Sequence, residues 1–84
     1  MTKIWSDEAW EDYLYWQTQD KKTLKRINKL IKDIERNGLK GIGKAEPLKY
    51  RKGYSRRIDD QNRLIFDIEN DELHISSCRG HYED

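Results

Sequence analysis

Leu24, Ile27, Leu30, Ile31 and Ile34 recur three or four positions apart in a stretch that is otherwise almost wholly charged or polar. Only the helical period of about 3.6 gathers them on one side. A helix with a single apolar stripe must lay that stripe on another element. Asp20 stands where an N-cap belongs, and Gly38 stands where a helix ends on a left-handed residue. The helix is therefore expected from Asp20 to about Arg36. Its outward side is basic, with Lys21, Lys22, Lys25, Arg26, Lys29 and Lys32. That side is either a solvated face or a second surface for nucleic acid.

A shorter helix is expected just before it, over 7–18. Ser6 is a good N-cap, and Asp7 and Glu8 complement the dipole of the first turn. Trp5 and Trp10 fall at the two positions of a hydrophobic staple. Trp10, Tyr13, Leu14 and Trp16 are expected to form its buried side, and the tight turn at Asp20 makes the two helices an antiparallel hairpin.

The partner for these helices comes from the remaining segments. Residues 2–5 read as an edge strand, and 54–58, 63–68 and 72–79 as three longer ones. Asp59-Asp-Gln-Asn62 and Asn70-Asp71 supply the turns between the last three. The expected class is α+β, with both helices packed on one face of an antiparallel sheet that is mostly a meander. Alternation puts Ile58, Leu64, Phe66, Ile68, Leu73 and Ile75 on the helix-covered face. Arg57, Arg63, His74, Ser76 and Cys78 then fall on the open one.

The chain has 84 residues, enough for a single domain over 1–84. Such a domain buries only roughly 60–65% of its unfolded surface, so three Trp and five Tyr matter to its core. The lone Cys78 cannot close an internal disulfide, which favours a reducing, cytoplasmic setting. No apolar run is long enough for a signal peptide or a membrane span.

The segment from Lys40 to Arg57 carries seven cations, Lys40, Lys44, Lys49, Arg51, Lys52, Arg56 and Arg57, around one acid, Glu46. Basic patches of this kind meet phosphate. Pro47 holds the backbone of Glu46 extended, and its carboxylate is either an internal ion-pair partner or a working acid–base group. Zinc spacing, a P-loop and a carboxylate cluster for magnesium are all lacking, so no metal or cofactor is expected. What remains is Glu46, Lys49, Arg57, Arg63, His81 and Tyr82. RNA carries its own nucleophile, the 2′-hydroxyl; its cleavage needs a base, cations on the phosphate and an acid for the leaving oxygen. Glu46, the arginines and His81 suit those roles. Lys49 is a second candidate base, and Tyr82 can stack on a base or donate to phosphate.

At these residues the chain resembles the YoeB/Txe toxins of the RelE superfamily, the toxins of type II toxin–antitoxin modules. The similarity is carried by Ile4-Trp-Ser6, Trp10-Glu-Asp-Tyr-Leu-Tyr-Trp16, Ile27-Asn-Lys-Leu-Ile-Lys-Asp33, Gly43-Lys-Ala-Glu-Pro-Leu-Lys49, Ser55-Arg-Arg-Ile58, Asn62-Arg-Leu-Ile65 and Cys78-Arg-Gly-His-Tyr82. The resemblance implies a microbial-ribonuclease-like fold and a ribosome-dependent endoribonuclease that cuts mRNA in the A site. It implies Glu46 as base, Arg63 on the phosphate and His81 as acid. Lys44, Lys49, Arg51, Arg57 and Tyr82 would assist or bind substrate. The implied partners are the ribosome and mRNA, a YefM/Axe-like antitoxin whose C-terminal segment wraps the toxin, and a second copy in a homodimer; no membrane is implied. Two departures stand out: Ala45 where relatives often have proline, and Glu83-Asp84 beyond the tyrosine. A non-catalytic gyrase inhibitor of the same fold and a plain RNA-binding module are the alternatives.

Overall fold

Asp20 is where the two helices meet, and it serves both. Its backbone N–H closes the first helix on the Trp16 carbonyl at 3.1 Å, while its carboxylate accepts from Lys22 and Thr23 N–H groups at the start of the second. The computed structural model describes residues 1–40 and 45–80. In chain order these form β1 (Thr2–Trp5), α1 (Asp7–Gln19), α2 (Lys21–Asn37), a short 3₁₀ turn (Gly38–Lys40), β2 (Glu46–Pro47), β3 (Tyr54–Arg57), β4 (Arg63–Glu69) and β5 (Glu72–Ser77). Ser6 caps α1 by accepting from Ala9 N–H at 3.0 Å, and Trp5 meets Trp10 edge-on at 6.0 Å, as the staple requires. Gly38 ends α2 at φ 63°, where a side chain would be strained.

Among the described residues the strands make one sheet in the order β1-β5-β4-β3-β2. β3, β4 and β5 pair antiparallel, as alternation and turns led one to expect, and the short β2 adds to β3 in the same sense. β1 lies parallel to β5, Thr2 opposite Glu72 and Trp5 opposite Ile75. The helix hairpin thus carries the chain from one edge of the sheet to the other. Both helices cover one face: Ile27, Leu30 and Ile34 of α2 join Leu64, Phe66, Leu73 and Ile75 in a single core. No described helix is long and apolar enough to cross a membrane.

Two sequence expectations fail here. α1 buries Ala9 and Trp16 and half-buries Tyr13, whereas Trp10 is 46% and Leu14 37% exposed. Residues 9, 13 and 16 form the inward line, and the Ala9 carbonyl lies 3.8 Å from the sulfur of Cys78, just past the end of β5. Alternation alone puts Cys78 with Arg63 on the open face, yet it is fully buried against the helices. The cause is a bulge: Phe66 pairs with Ile75 but Ile65 pairs with Ser77, so β5 holds one extra residue. That residue reverses the alternation, and Cys78 turns inward. Its N–H then donates to Asp12 at 3.0 Å and its carbonyl accepts from the Trp16 indole at 2.8 Å.

Candidate functional site

Glu46 begins β2 on the sheet edge opposite β1, and Pro47 follows it in the strand. In register it lies opposite Ser55 of β3, which in turn lies opposite Ile65 of β4. Arg63 starts β4 two residues from Ile65, so its side chain rises on the same face. The guanidinium reaches across β3: Nη1 donates to Ser55 Oγ at 3.2 Å and sits 3.5 Å from Glu46 Oε1. Arg63 is 23% exposed and Glu46 65%, so the pair opens to solvent from a half-buried base. This is the open face of the sheet, away from the helices.

Backbone pairing also brings Gly80 to Arg63. The Arg63 N–H donates to the Gly80 carbonyl at 3.1 Å, and the Gly80 N–H donates to Asn62 Oδ1 at 2.7 Å. Asn62 is buried and is held in turn by Asp59, whose carboxylate accepts from Asn62 Nδ2 and from the N–H groups of Gln61 and Asn62. Burial acts to raise the Asp59 carboxyl, but those hydrogen bonds outweigh it and hold it below the usual carboxylate value. The 59–62 turn is thus a rigid bracket with Arg63 on one arm and Gly80 on the other.

The other singled-out residues divide into three groups. Lys49 and Arg51 are exposed in the loop after β2, which closes where Leu48 N–H meets the Gly53 carbonyl at 3.0 Å. Gly53 is required there: at φ 130° a Cβ would lie 3.1 Å from the Phe66 carbonyl oxygen. Arg57 ends β3 opposite Arg63, but its guanidinium is ion-paired with Asp60. Lys44, His81 and Tyr82 lie outside the described residues.

The basic stretch is less of a phosphate grip than its composition suggested. Arg56, only 1% exposed, pairs with Asp33 of α2 at 2.8 Å and belongs to the interior. Lys52 stands 3.5 Å from Glu69 and 3.8 Å from Asp67. With Arg57 on Asp60, Arg56, Lys52 and Arg57 each answer acids outside the stretch. Sequence reasoning also missed Ser55 and Asn62, the two residues that hold Arg63 and Gly80. A serine in phase with Arg57 on the open side of a strand was the available signal for Ser55.

Chemically, the arrangement joins a proton acceptor to a fixed cation. The carboxylate and the guanidinium share one solvent-facing spot, where a phosphodiester could be gripped by Arg63 with its neighbouring hydroxyl toward Glu46. Among the described residues no group of three or more His, Cys, Asp or Glu side chains is placed to hold a metal ion.

Residues 5–82 match the family model of the YoeB-like toxin of bacterial type II toxin–antitoxin systems. The chain belongs to the YoeB toxin family. It is 50% identical to Toxin YoeB of Escherichia coli K12, over 98% of this chain and all of that one. Among solved structures it is similar to the YoeB–YefM complex from Staphylococcus aureus, at 45% identity and a TM-score of 0.89, covering 98% of each chain. The YoeB dimer from the same organism matches at 46% identity and a TM-score of 0.90, again over 98% of each chain. The chain is thus the toxin of a type II toxin–antitoxin system, with the two-helix, five-strand fold of its YoeB relatives.

Proposed function

We propose that this YoeB-family toxin is a ribosome-dependent endoribonuclease that cleaves mRNA in the A site and so stops translation. The observation that carries the reading is the contact of Glu46 with Arg63 on the open face of the sheet. Glu46 takes the proton from the 2′-hydroxyl, and the oxygen attacks the adjacent phosphorus. Arg63 holds the non-bridging oxygens as charge builds on them. The bond to the 5′-oxygen breaks, and His81 supplies the proton that this oxygen needs. The products are a 2′,3′-cyclic phosphate and a free 5′-hydroxyl. Each role is filled by a side chain of the protein, with Lys44, Lys49, Arg51, Arg57 and Tyr82 binding the RNA or assisting. Support for His81 comes from its neighbour in sequence, Gly80, whose carbonyl is hydrogen-bonded to Arg63 N–H.

Among the described residues the site has few walls. Arg63 and Glu46 lie on an open strand face, so the RNA must be oriented by something larger, and positioning can supply about 7–11 kcal/mol of a barrier. The ribosome fills that need. In the cell the toxin is held inactive by an antitoxin of the YefM kind through its C-terminal segment, and it pairs with a second copy of itself. Complexes of both kinds are known for the S. aureus relative.

The test is cleavage of programmed ribosomes, with new mRNA 5′ ends mapped. Glu46→Gln and His81→Gln should each slow cutting by about 10²–10⁴-fold while ribosome binding persists. Arg63→Ala should cost about 10²–10³-fold. Normal cutting by both Glu46→Gln and His81→Gln would overturn the assignment. Uncut mRNA with intact binding by the unaltered protein would leave an RNA-binding module, and damaged DNA would leave a gyrase inhibitor.

A further inference from the structure

Asp12, Tyr15 and Trp16 stand at helical steps of three and four, so they share one side of α1. All three act on the chain where it leaves β5. The Asp12 carboxylate accepts from Cys78 N–H at 3.0 Å, and the Trp16 indole donates to the Cys78 carbonyl at 2.8 Å. The Tyr15 ring lies beneath Arg79, with the guanidinium carbon 3.6 Å from the ring centre. Gly80 is tied on its own account, to Asn62 Oδ1 and to the N–H of Arg63. Arg79 is thus held through both of its chain neighbours and through its side chain.

Arg79 differs from the arginines within the strands. Arg56, Arg57 and Arg63 each face a carboxylate, from Asp33, Asp60 and Glu46 in turn. Among the described residues Arg79 pairs with no acid, and what it rests on is a ring. A separation of 3.6 Å is contact distance for two flat carbon groups, so Tyr15 covers one flat side of the guanidinium. Arg79 is nonetheless exposed, and its remaining surface opens to solvent. An arginine held by a carboxylate spends its donors on that acid, whereas one held by a π face keeps them and keeps its second flat side. The position also matters. The next residue, Gly80, accepts from the Arg63 N–H, and Arg63 is the residue that meets Glu46.

We infer that the Arg79 guanidinium, backed by Tyr15, is a stacking platform for an mRNA base beside the bond that is cut. A base in a strand splayed open for cleavage loses contact with its neighbours in the stack, and a guanidinium plane replaces that contact. Every base has a π face, so the platform holds an unpaired base without dictating which one. A phosphate needs charge and in-plane donors and gains nothing from a ring behind the plane, whereas a base gains a flat and rigid backing. The platform also supplies a wall for a strand that lies at Glu46 and Arg63. The inference rests on the function proposed above for the presence of mRNA at Arg63, but not on which group is the base or the acid.

The experiment measures binding to ribosomes programmed with an mRNA that is 2′-deoxy at the cut nucleotide, so that the nucleophile is missing and the RNA stays intact. Two further mRNAs lack the base on one or the other side of that bond. The unaltered protein should bind one of these about fivefold or more weakly than the complete mRNA, the worth of stacking one base. Arg79→Ala and Arg79→Lys should bind the complete mRNA more weakly by a similar factor. Removing the base should then cost them less than about twofold more, because the contact is already gone. Tyr15→Phe should behave as the parent, and Tyr15→Leu should fall between. Circular dichroism and thermal midpoints check folding, and Arg79→Lys carries the test if the alanine variant is unstable. An equal loss on base removal in the parent and in Arg79→Lys would overturn the inference. So would a parent indifferent to both missing bases: normal binding by Arg79→Lys would then make Arg79 a phosphate contact, and weak binding a brace or a contact to ribosomal RNA. The same comparison on a short single-stranded RNA separates the two readings. Base dependence there, without binding to ribosomes, would sink the ribosome requirement and leave the platform standing. Cutting of the 2′-deoxy mRNA would count against the 2′-hydroxyl chemistry alone.

Discussion

Arg63 is organised by Ser55, a residue with no reactive role. Ser55 is 6% exposed and lies between Glu46 and Ile65 across three strands, so its hydroxyl is fixed by the sheet itself. A long arginine side chain on an open face would otherwise sample many rotamers, at a cost of up to about 2 kcal/mol to hold one. The 3.2 Å contact selects the rotamer that reaches Glu46. Ser55→Ala should therefore slow cleavage by about 10- to 100-fold, the worth of one charge-assisted hydrogen bond. Ser55→Thr, which keeps the hydroxyl, should recover most of that rate. Single-turnover cutting of programmed ribosomes measures it, and an alanine variant as fast as the parent would remove Ser55 from the account. Cys78 makes the opposite point. Burial, reinforced by the Asp12 carboxylate, pushes its thiol up to about 12, so it has no role as a nucleophile.

Among the elements, α2 and β3 are joined by the buried pair of Arg56 and Asp33. Arg56 has the charge of a phosphate ligand but sits opposite Leu64, on the core side of the strand. Alternation from Arg57 already implied that side, but the local density of cations made Arg56 look like part of a patch. Asp33, held also by Asn37 Nδ2 at 2.8 Å, is what makes an interior arginine tolerable. Removing one partner leaves the other charge stranded. Asp33→Ala should therefore destabilise the fold by about 3–5 kcal/mol in urea unfolding. The double change Arg56→Met/Asp33→Leu should recover most of that loss, since apolar groups of similar volume often replace such pairs at little cost. A loss below about 1 kcal/mol in the single variant would mean that the pair is not structural.

For the molecule taken together, the shifted groups set a pH window for stability. Asp20, Glu35 and Asp59 are all held below their ordinary values in the fold: Asp20 by Thr23, Glu35 by Lys3, and Asp59 by hydrogen bonds that outweigh its burial. Depressed carboxyls contribute stability above the unfolded value near pH 4, and that contribution is lost as pH falls through the folded values. Cys78 works in the other direction. Its stabilisation is complete below the free-thiol value of 9.0 and is lost as pH rises toward about 12. The urea midpoint should thus be flat from about pH 5 to 8.5 and fall on both sides. In Cys78→Ala the alkaline fall should be shallower. An equal alkaline fall in that variant would show that Cys78 does not set the limb.

The helices, their caps, the staple, the three antiparallel strands and the family were legible from residues alone. Each rests on local signals: a period, a capping hydroxyl or carboxylate, a turn tetrapeptide, an ordered set of short motifs. Glu46 and Arg63 were legible as residues of interest, and folding brought them together. The rest needed the third dimension. Parallel pairing of β1 with β5 joins chain segments about 70 residues apart, as Thr2 opposite Glu72 shows, and no local pattern encodes it. One extra residue in β5 reverses the facing of everything after it, which moved Cys78 from the open face to the core. The fate of a cation depends on which acid reaches it: Arg56 went to Asp33 and Lys52 to Glu69, while the lysines of α2 stayed in solvent. Propensity acts over a few residues, but register and ion pairing are settled by whatever packs nearby, and that only the folded chain decides.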